Sequence, residues 1–366
     1  MTGRDDADPG DDPTADDPVA PMPDGTASDS PAADKTASDG PVPEGTAADG
    51  GFRSGFVTLV GRPNVGKSTL LNRILGEKVT IVSDKPQTTR TEVRGVLNRP
   101  GVQAVFVDTP GIHKPRTALG GRLNETATAA LGGVDVVCLV VDADAGLGRG
   151  DRFVAERVPR DAIVVVNKID RASPQRVLEQ LVTATQLGVD PDAPGQAGEN
   201  ADAATTAAGA ATPSPTALAD PAATDGHEYF PISATTGEGV DALVEHILTR
   251  LPEGPLYYPD DVVTDVPEAF WVAELVREQL LAVTREELPH SIATQVTEWE
   301  WPYIRCEILV ERKSQKGMVI GKGGNVLRAV GIAVREQLPE GTYLDLHVRV
   351  DKDWQRRPSV FDRLGY

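Results

Sequence analysis

Short apolar runs alternate with helical stretches through the first half of this sequence. Runs of Val, Ile, Leu and Phe are separated by segments whose apolar residues recur with helical spacing. Continuous apolar strands divided by helices are typical of a mostly parallel sheet covered by helices on both faces. The pattern predicts strands at 56–60, 104–107, 136–141, 163–166 and 229–232, and helices at 68–75, 121–131 and 240–251.

A different pattern follows a linker rich in proline and glycine at 252–267. A long helical stretch at 268–288 precedes strands of alternating polarity at 292–299 and 303–311, and a helix-turn-helix and a further strand are predicted at 317–337 and 343–350. This order, α-β-β-α-α-β, predicts a separate α+β domain. We therefore predict an α/β domain at 54–251 and a smaller α+β domain with its tail at 268–366.

Two segments carry almost no large apolar side chains, and we expect both to be disordered because they cannot bury enough apolar surface. The first is an acidic extension at 1–53, and the second is an insertion in the α/β domain at about 190–226. The extension explains much of the net charge of −19, since residues 1–50 hold 13 acidic and 2 basic side chains. The low pI therefore says little about the folded domains.

Composition excludes several classes of protein. Cys138 and Cys306 each lie in an apolar run, which argues against a disulfide scaffold or a cysteine-based zinc site. The N-terminal segment is acidic and lacks the pattern of a secretory signal, and no window approaches the apolar length of a membrane span. We expect a cytoplasmic protein.

A glycine-rich segment directly follows the first predicted strand and directly precedes the first predicted helix. Its sequence fits G-x-x-x-x-G-K-[ST], in a context that favours phosphate binding over a chance turn. Backbone amides at the helix N-terminus surround a phosphate, a lysine reaches the terminal phosphates and a hydroxyl binds Mg²⁺. The predicted members are Gly61, Arg62, Pro63, Asn64, Val65, Gly66, Lys67, Ser68 and Thr69.

A second motif, Asp108-Thr109-Pro110-Gly111, follows the next strand of the predicted sheet, with Ile112 after it. A carboxylate at the C-terminal end of a strand can hold Mg²⁺ through water, and the Gly111 amide can meet a γ-phosphate. Together with the phosphate loop, the motif predicts a nucleoside triphosphate site that includes all five residues.

A third motif, Asn167-Lys168-Ile169-Asp170, ends another apolar strand. Asp170 can accept hydrogen bonds from guanine N1–H and its exocyclic amine, which adenine does not offer in that arrangement. We expect Asn167 to brace the loop, the stem of Lys168 to cover the base, and Ser233 and Ala234 to complete the pocket, with the Ala234 N–H donating to guanine O6.

Taken in this order, the motifs resemble those of the Era family of GTPases within the translation-factor class, and Gln87-Thr88-Thr89-Arg90 resembles switch I of the Era and MnmE branch. The resemblance implies GTP and GDP as ligands and Mg²⁺ held by Ser68, Thr89 and, through water, Asp108. Thr88 is the second candidate for the switch I hydroxyl that binds Mg²⁺. We expect Lys67, Thr89, Asp108 and Gly111 to act in hydrolysis.

Ile112 departs from Ras-like enzymes, which place there the glutamine that orients the attacking water. Hydrolysis must therefore depend on a different catalytic group. Asn64 resembles the asparagine through which related GTPases hold K⁺ beside the phosphates, so we expect K⁺ as a second cofactor. His113 is a weaker candidate for a base.

A G-x-x-G sequence lies in the second domain within a locally basic window. Six basic and no acidic residues occur between Arg312 and Arg335, a reversal of the overall charge that favours phosphate binding. With the element order, it resembles a type II KH domain, a module that holds about four single-stranded nucleotides. The predicted RNA-binding residues are Arg312, Lys313, Lys316, Met318, Val319, Ile320, Gly321, Lys322, Gly323, Gly324 and Arg328.

One GTPase domain joined to a type II KH domain is the architecture of the Era family. The resemblance implies a monomeric switch that binds the 3′ region of 16S rRNA, assists 16S rRNA processing and small ribosomal subunit biogenesis, and associates peripherally with the cell membrane. Two alternatives stay open on the sequence: a non-catalytic nucleotide-dependent RNA-binding adaptor, favoured by Ile112, and a membrane-associated signalling GTPase. The absence of an obvious basic amphipathic helix counts against the second.

Overall fold

The structure, a computed structural model, describes residues 51–115, 117–187, 228–284 and 288–366. The predicted disordered extension lies outside these ranges except for residues 51–53, and the insertion at 190–226 lies outside them entirely. A six-stranded sheet in the order β2-β3-β1-β4-β5-β6 forms the first domain. Its strands are β1 (Arg53–Val60), β2 (Val93–Arg99), β3 (Val102–Asp108), β4 (Val136–Asp142), β5 (Ile163–Asn167) and β6 (Glu228–Pro231).

All neighbouring strands of this sheet are parallel except β2, which pairs antiparallel with β3 at one edge. The mostly parallel sheet confirms the predicted fold class. β2 was not predicted, because polar Arg94, Asn98 and Arg99 interrupt its apolar residues.

Helices cover both faces of the sheet, and a separate apolar cluster fills each side. α2 begins at Ala118 rather than at the predicted Gly121, because the Thr117 hydroxyl accepts a hydrogen bond from the Gly120 amide (3.0 Å) and caps the helix. The helices are α1 (Lys67–Leu75), α2 (Ala118–Ala129), α3 (Arg149–Ala155), α4 (Pro174–Ala184) and α5 (Val240–Arg250), of which α3 and α4 were not predicted.

The second domain has the predicted order α-β-β-α-α-β. β7 pairs antiparallel with β8, and β8 pairs parallel with β9. One face of β8 presents Ile304, Cys306 and Ile308 to the helices, and all three are buried. The elements are α6 (Glu268–Val283), β7 (Ala293–Glu300), β8 (Tyr303–Val310), α7 (Lys313–Ile320), α8 (Asn325–Arg335) and β9 (Tyr343–Val350).

α6 ends at Val283, five residues before the predicted end, and a short 3₁₀ turn occupies Leu288–Ser291. The chain finishes in α9 (Pro358–Leu364), a helix that the sequence pattern did not predict. α9 and the preceding Trp354 cover the end of the second sheet. Their apolar side chains form one buried cluster with Leu119 and Leu123 of α2, so the C-terminal segment joins the two domains.

Both cysteines are free and buried, and burial raises the pKa of each thiol to about 12. They are therefore poor nucleophiles at neutral pH. Within the described ranges, no helix has the length and apolar character needed to cross a membrane, and no group of His, Cys, Asp and Glu side chains has the geometry of a metal site.

Candidate nucleotide site and nucleic-acid interface

The phosphate loop connects β1 to α1 in a backbone conformation that only certain residues adopt. Gly66 has φ 99°, and a Cβ there would lie 2.3 Å from the Asn167 side-chain nitrogen. No side chain caps α1, so its first amides remain directed at the loop's centre. This end of the helix is therefore built to receive an anion.

Lys67 is buried inside the loop. Its Nζ donates to the carbonyls of Gly61 (3.2 Å) and Arg62 (3.1 Å). Burial lowers the pKa of Lys67 to about 8, against the opposing effect of Asp108. Burial also raises the pKa of Asp108, although Lys67 and three hydroxyl donors oppose it. A bound anion would therefore stabilise the charged form of Lys67, and a bound cation would stabilise the charged form of Asp108.

Three oxygens from three separate motifs converge beside the phosphate loop. The Ser68 hydroxyl donates to Asp108 Oδ2 (2.7 Å) and lies 3.0 Å from the Thr89 hydroxyl, which itself donates to Asp108 Oδ2 (3.2 Å). Adjacent ligands in an Mg²⁺ octahedron lie about 2.9 Å apart, given bonds of about 2.0 to 2.1 Å. In addition, the buried Asp108 Oδ1 has no hydrogen-bond partner among the described residues. The donor set therefore fits Mg²⁺.

The structure also separates the two switch I threonines. The Thr88 hydroxyl donates to the Lys85 carbonyl at 2.6 Å, within its own loop. Thr89, which the resemblance favours, is the one placed beside Ser68 and Asp108.

The base-binding motif is tied to the phosphate loop. Asn167 Nδ2 donates to the Val65 carbonyl (2.8 Å), and Asn167 Oδ1 accepts from the Ala234 amide (2.9 Å). The Ala234 N–H is therefore engaged, contrary to the expectation that it is free for guanine O6. In this structure it can reach a base only as a shared donor.

Lys168 spans the cavity, because its Nζ donates to the Asn64 carbonyl and to Asp142 Oδ2, both at 2.6 Å. No sequence motif pointed to Asp142, which ends β4 beside the Asn167–Asp170 motif. Asp170 lines the same cavity, together with the neighbouring Arg171. The stem of Lys168 and the carboxylate of Asp170 thus border a common space.

The cavity has a volume of about 510 Å³. It is lined by residues of the phosphate loop, switch I, the Asp108–Gly111 motif, the Asn167–Asp170 motif and the Ser233-Ala234 pair. Of the predicted residues it brings together Pro63, Asn64, Gly66, Lys67, Ser68, Thr69, Thr89, Gly111, Asn167, Lys168, Asp170 and Ala234. It also includes Val82, Ser83, Asp84 and Thr235, for which no sequence motif gives a signal.

Other predicted residues lie behind the cavity wall: Gly61, Arg62, Val65, Asp108, Thr109, Pro110, Ile112, Ile169 and Ser233. Several of them fix the backbone. The Thr109 hydroxyl donates to the Leu59 carbonyl (3.0 Å), Arg62 pairs with Asp151 (2.7 Å), and Ile112 is buried with its amide on the Gly61 carbonyl (3.2 Å). Their direct contact with a nucleotide stays a prediction.

Switch I rests on the second domain through contacts that no sequence motif identified. Arg90 is 2% exposed, donates to the Ile292 carbonyl (2.7 Å), and lies 5.7 Å from the Trp354 ring and 5.4 Å from the Tyr366 ring. Both distances are within cation–π range. Thr91 extends the contact through its hydroxyl, which donates to the Gly365 carbonyl at 3.1 Å.

Helix α6 of the second domain also contacts switch I and the residues before it. Arg277 is fully buried, pairs with Glu274 and donates to the carbonyl of Thr88, the residue before Thr89. The Val82 amide donates to Glu278 (3.0 Å). Thr89 is thus flanked by Thr88 and Arg90, two residues that contact the second domain.

The G-x-x-G loop joins α7 to α8. Gly324 has φ 77° with open space where a Cβ would stand, whereas a Cβ on Gly321 would lie 2.2 Å from Asn325 Oδ1. Lys322 and Arg328 are exposed beside the loop. This leaves a small, cationic surface that a nucleic-acid backbone can approach.

One of the predicted apolar RNA contacts, Val319, needs correction. Met318 is 60% exposed and can face a ligand, but Val319 is fully buried in the core, where helical periodicity points it away from solvent. Ile320 packs partly buried against the core.

The basic window is divided by the structure. Arg312 and Lys313 lie at the start of α7, whereas Gly321 to Gly324 follow its end. Lys316 lies between them on the helix.

Two family comparisons match the two domains separately. Residues 56–168 match the family described as 50S ribosome-binding GTPase, and residues 287–355 match the KH domain family. The first match contains the phosphate loop and the Asp108–Gly111 motif but ends at residue 168, before Asp170 and Ala234, and the second contains the G-x-x-G loop.

Whole-chain relatives share this arrangement. A GTPase Era from Mycobacterium sp. (strain KMS) is 44% identical over 331 residues, covering 86% of this chain and 99% of the relative. A GTPase Era from Mycobacterium tuberculosis (strain ATCC 25177 / H37Ra) is 42% identical over 332 residues with the same coverage.

Two solved structures match most of this chain. Era in complex with MgGDPNP and nucleotides 1506–1542 of 16S ribosomal RNA has 35% identity and a TM-score of 0.73, covering 86% of this chain and 99% of its own. A variant of Aquifex aeolicus Era bound to GDP·AlF4⁻ has 35% identity and a TM-score of 0.71, with the same coverage.

Proposed function

Because the chain belongs to the Era family of GTPases, we propose that it is a GTP-hydrolysing switch that binds the 3′ region of 16S rRNA through its KH domain. The related complex with MgGDPNP and a 16S rRNA fragment supports both ligands. The nucleotide cavity and the G-x-x-G surface supply the matching chemistry here.

The contact of switch I with the KH domain carries this proposal. Arg277 holds the Thr88 carbonyl, and Arg90 is enclosed by Ile292, Trp354 and Tyr366. With GTP bound, Thr89 would be held by contacts to the γ-phosphate and Mg²⁺, and it would lose those contacts after hydrolysis. The arrangement of the KH domain that switch I supports therefore depends on which nucleotide is bound. We infer a GTP state that favours RNA and a GDP state that releases it.

Ser68 and Thr89 would hold Mg²⁺, with Asp108 acting through water. When bound, it offsets the charge that develops on the phosphates. The chain's own contributions are the Lys67 ammonium, the α1 amides and the Gly111 amide. Together they position the triphosphate and stabilise its negative charge.

K⁺ is proposed as a second cation, because buried Ile112 cannot orient water as glutamine does. Asn64 lines the cavity, and its side chain donates to the Asp84 carbonyl (2.6 Å), so it lies between the phosphate loop and switch I. Exchanging K⁺ for Na⁺ should slow turnover, and equal rates in both salts would eliminate the idea.

Family membership also supports wider proposals. We propose a monomer of the cytoplasm, peripherally associated with the membrane, that assists 16S rRNA processing and small-subunit biogenesis. Depletion of the protein should lead to accumulation of unprocessed 16S rRNA in the cell. Fractionation should divide the protein between the small subunit, the soluble fraction and the membrane, and mature 16S rRNA at normal levels would contradict the proposal.

The direct test is GTP hydrolysis with and without an RNA copied from nucleotides 1506–1542. Gly324→Asp places a negative charge on the G-x-x-G loop and should abolish RNA stimulation while basal hydrolysis persists. Gly101→Asp is the matched control, since Gly101 has nearly the same φ (78° against 77°), an equally open site and a position in the other domain. Equal stimulation in both variants would show that the loop does not bind this RNA.

A further inference from the structure

The carboxylate that ends β4 lies directly beside the base-binding motif. Asp142 is in register with Asn167 of the neighbouring parallel strand β5, so the two residues meet at the carboxyl edge of the sheet. Ligands of open α/β sheets bind at this edge. Asp142 is only 6% exposed, and acidic side chains are rarely buried to this degree unless they are paired.

Each oxygen of the Asp142 carboxylate has its own partners. Oδ1 accepts hydrogen bonds from the backbone amides of Asp144 (3.0 Å) and Ala145 (3.1 Å), and these bonds fix the turn that follows β4. Oδ2 accepts from the Lys168 ammonium at 2.6 Å. The two oxygens therefore have separate roles, and only Oδ2 contacts a nucleotide motif.

Lys168 is held at both ends in a conformation that lysine rarely adopts. Its backbone has φ 68°, in the left-handed region that favours glycine. Strained residues of this kind persist only where the surrounding structure fixes them. At the other end of the side chain, the ammonium lies between Asp142 and the carbonyl of Asn64 in the phosphate loop. The stem between these two ends runs along the wall of the nucleotide cavity.

Asp142 gives Lys168 an interaction that the phosphate loop does not provide. The Asn64 carbonyl is a neutral acceptor, whereas Asp142 is the one carboxylate paired with Lys168 among the described residues. The Lys168 and Asp142 side chains are 20% and 9% exposed, so water screens their attraction only in part. A charge-assisted bond of this kind restricts a flexible four-carbon stem more strongly than a neutral hydrogen bond does.

We propose that Asp142 is a positioning residue for the guanine base, which holds the Lys168 stem where it covers the ring and thereby raises the affinity for GTP and GDP. This proposal rests on the proposed function and adds a residue to the same site. Asp142 itself does not line the cavity. It therefore acts through Lys168 and not by touching the nucleotide.

Asp142→Asn tests the pair with little change in shape. The amide oxygen can keep both hydrogen bonds in the turn, whereas the amide nitrogen is a donor and would face the donating ammonium. Lys168→Met keeps an apolar stem but removes the ammonium. Asp144→Asn is the matched control, because Asp144 is exposed in the same turn and its carboxylate forms no ion pair within the described part of the chain.

The three single variants and the double variant, Asp142→Asn with Lys168→Met, are titrated with GDP and with inorganic pyrophosphate, which has no base for Lys168 to cover. We expect Asp142→Asn to bind GDP about tenfold more weakly and pyrophosphate as tightly as the wild type. The double variant should bind GDP no more weakly than Lys168→Met alone, because the carboxylate acts only through the ammonium. If Asp142→Asn fails to fold, this last comparison still decides, since the double variant removes both charges of the pair.

Four results would overturn the role of Asp142. They are wild-type affinity for GDP in Asp142→Asn, an equal loss of affinity for GDP and pyrophosphate, a further loss in the double variant beyond that of Lys168→Met, and the same loss in Asp144→Asn. Failure of the wild-type protein to bind GDP would instead refute the proposed function.

Discussion

At the scale of single residues, buried charge determines how this molecule meets its nucleotide. Lys67 and Asp108 are both buried, and each is held away from its ordinary pKa by burial. Arg90 and Arg277 are also buried, although their sequence context reads as exposed surface. The first pair was predictable because it belongs to local motifs, whereas the second is buried by contacts with residues far along the chain.

The pKa of Lys67 predicts how GTP affinity depends on pH. Below about 8 the amine is charged without a ligand, and bound phosphates raise its pKa further by stabilising that charge. Affinity is therefore fully present below pH 8 and is lost as pH rises, so the Kd for GTP should weaken about tenfold between pH 7 and 9.

Isothermal calorimetry at pH 8.5, in buffers of different ionisation enthalpy, should also detect proton uptake on binding. Guanosine serves as the control ligand, since it lacks the phosphates that Lys67 contacts. The same pH dependence for GTP and guanosine would argue against Lys67 as its source.

At the scale of elements, the sequence predicted what is local and missed what is made by long-range contact. The strands with continuous apolar runs and the order of the second domain were predicted correctly. A strand buried on both faces leaves a continuous apolar run in the sequence, and a strand buried on one face leaves alternating polarity. β2 was missed because it is an edge strand with polar residues, and α9 because its burial depends on Trp354 and α2. The contact between α6 and switch I left no periodic signal.

That contact leads to a prediction for Arg277→Met. Losing the donor to the Thr88 carbonyl should loosen Thr89, so affinity for a GTP analogue should fall about tenfold while affinity for GDP is unchanged. The variant also leaves buried Glu274 unpaired, which costs about 3–5 kcal/mol of unfolding free energy.

A second variant separates these effects. Removing both partners, with Arg277→Met and Glu274→Met, should restore much of the stability measured by urea unfolding but not the preference for the GTP analogue. Recovery of that preference in the double variant would show that α6 does not hold switch I.

At the scale of the whole molecule, nucleotide and RNA sites in different domains are joined through one continuous contact. Switch I lies between the Ser68 and Asp108 oxygens and the KH domain, and α2 packs on the C-terminal segment. Two ligands that favour the same docked arrangement must strengthen each other's binding equally.

RNA affinity in the two nucleotide states therefore tests this account most directly. The RNA copied from nucleotides 1506–1542 should bind with a Kd about 5- to 150-fold lower in the presence of a GTP analogue than in the presence of GDP. The ratio should approach one in the Arg277→Met, Glu274→Met variant. The same Kd in both nucleotide states of the wild-type protein would contradict the coupling of the two sites.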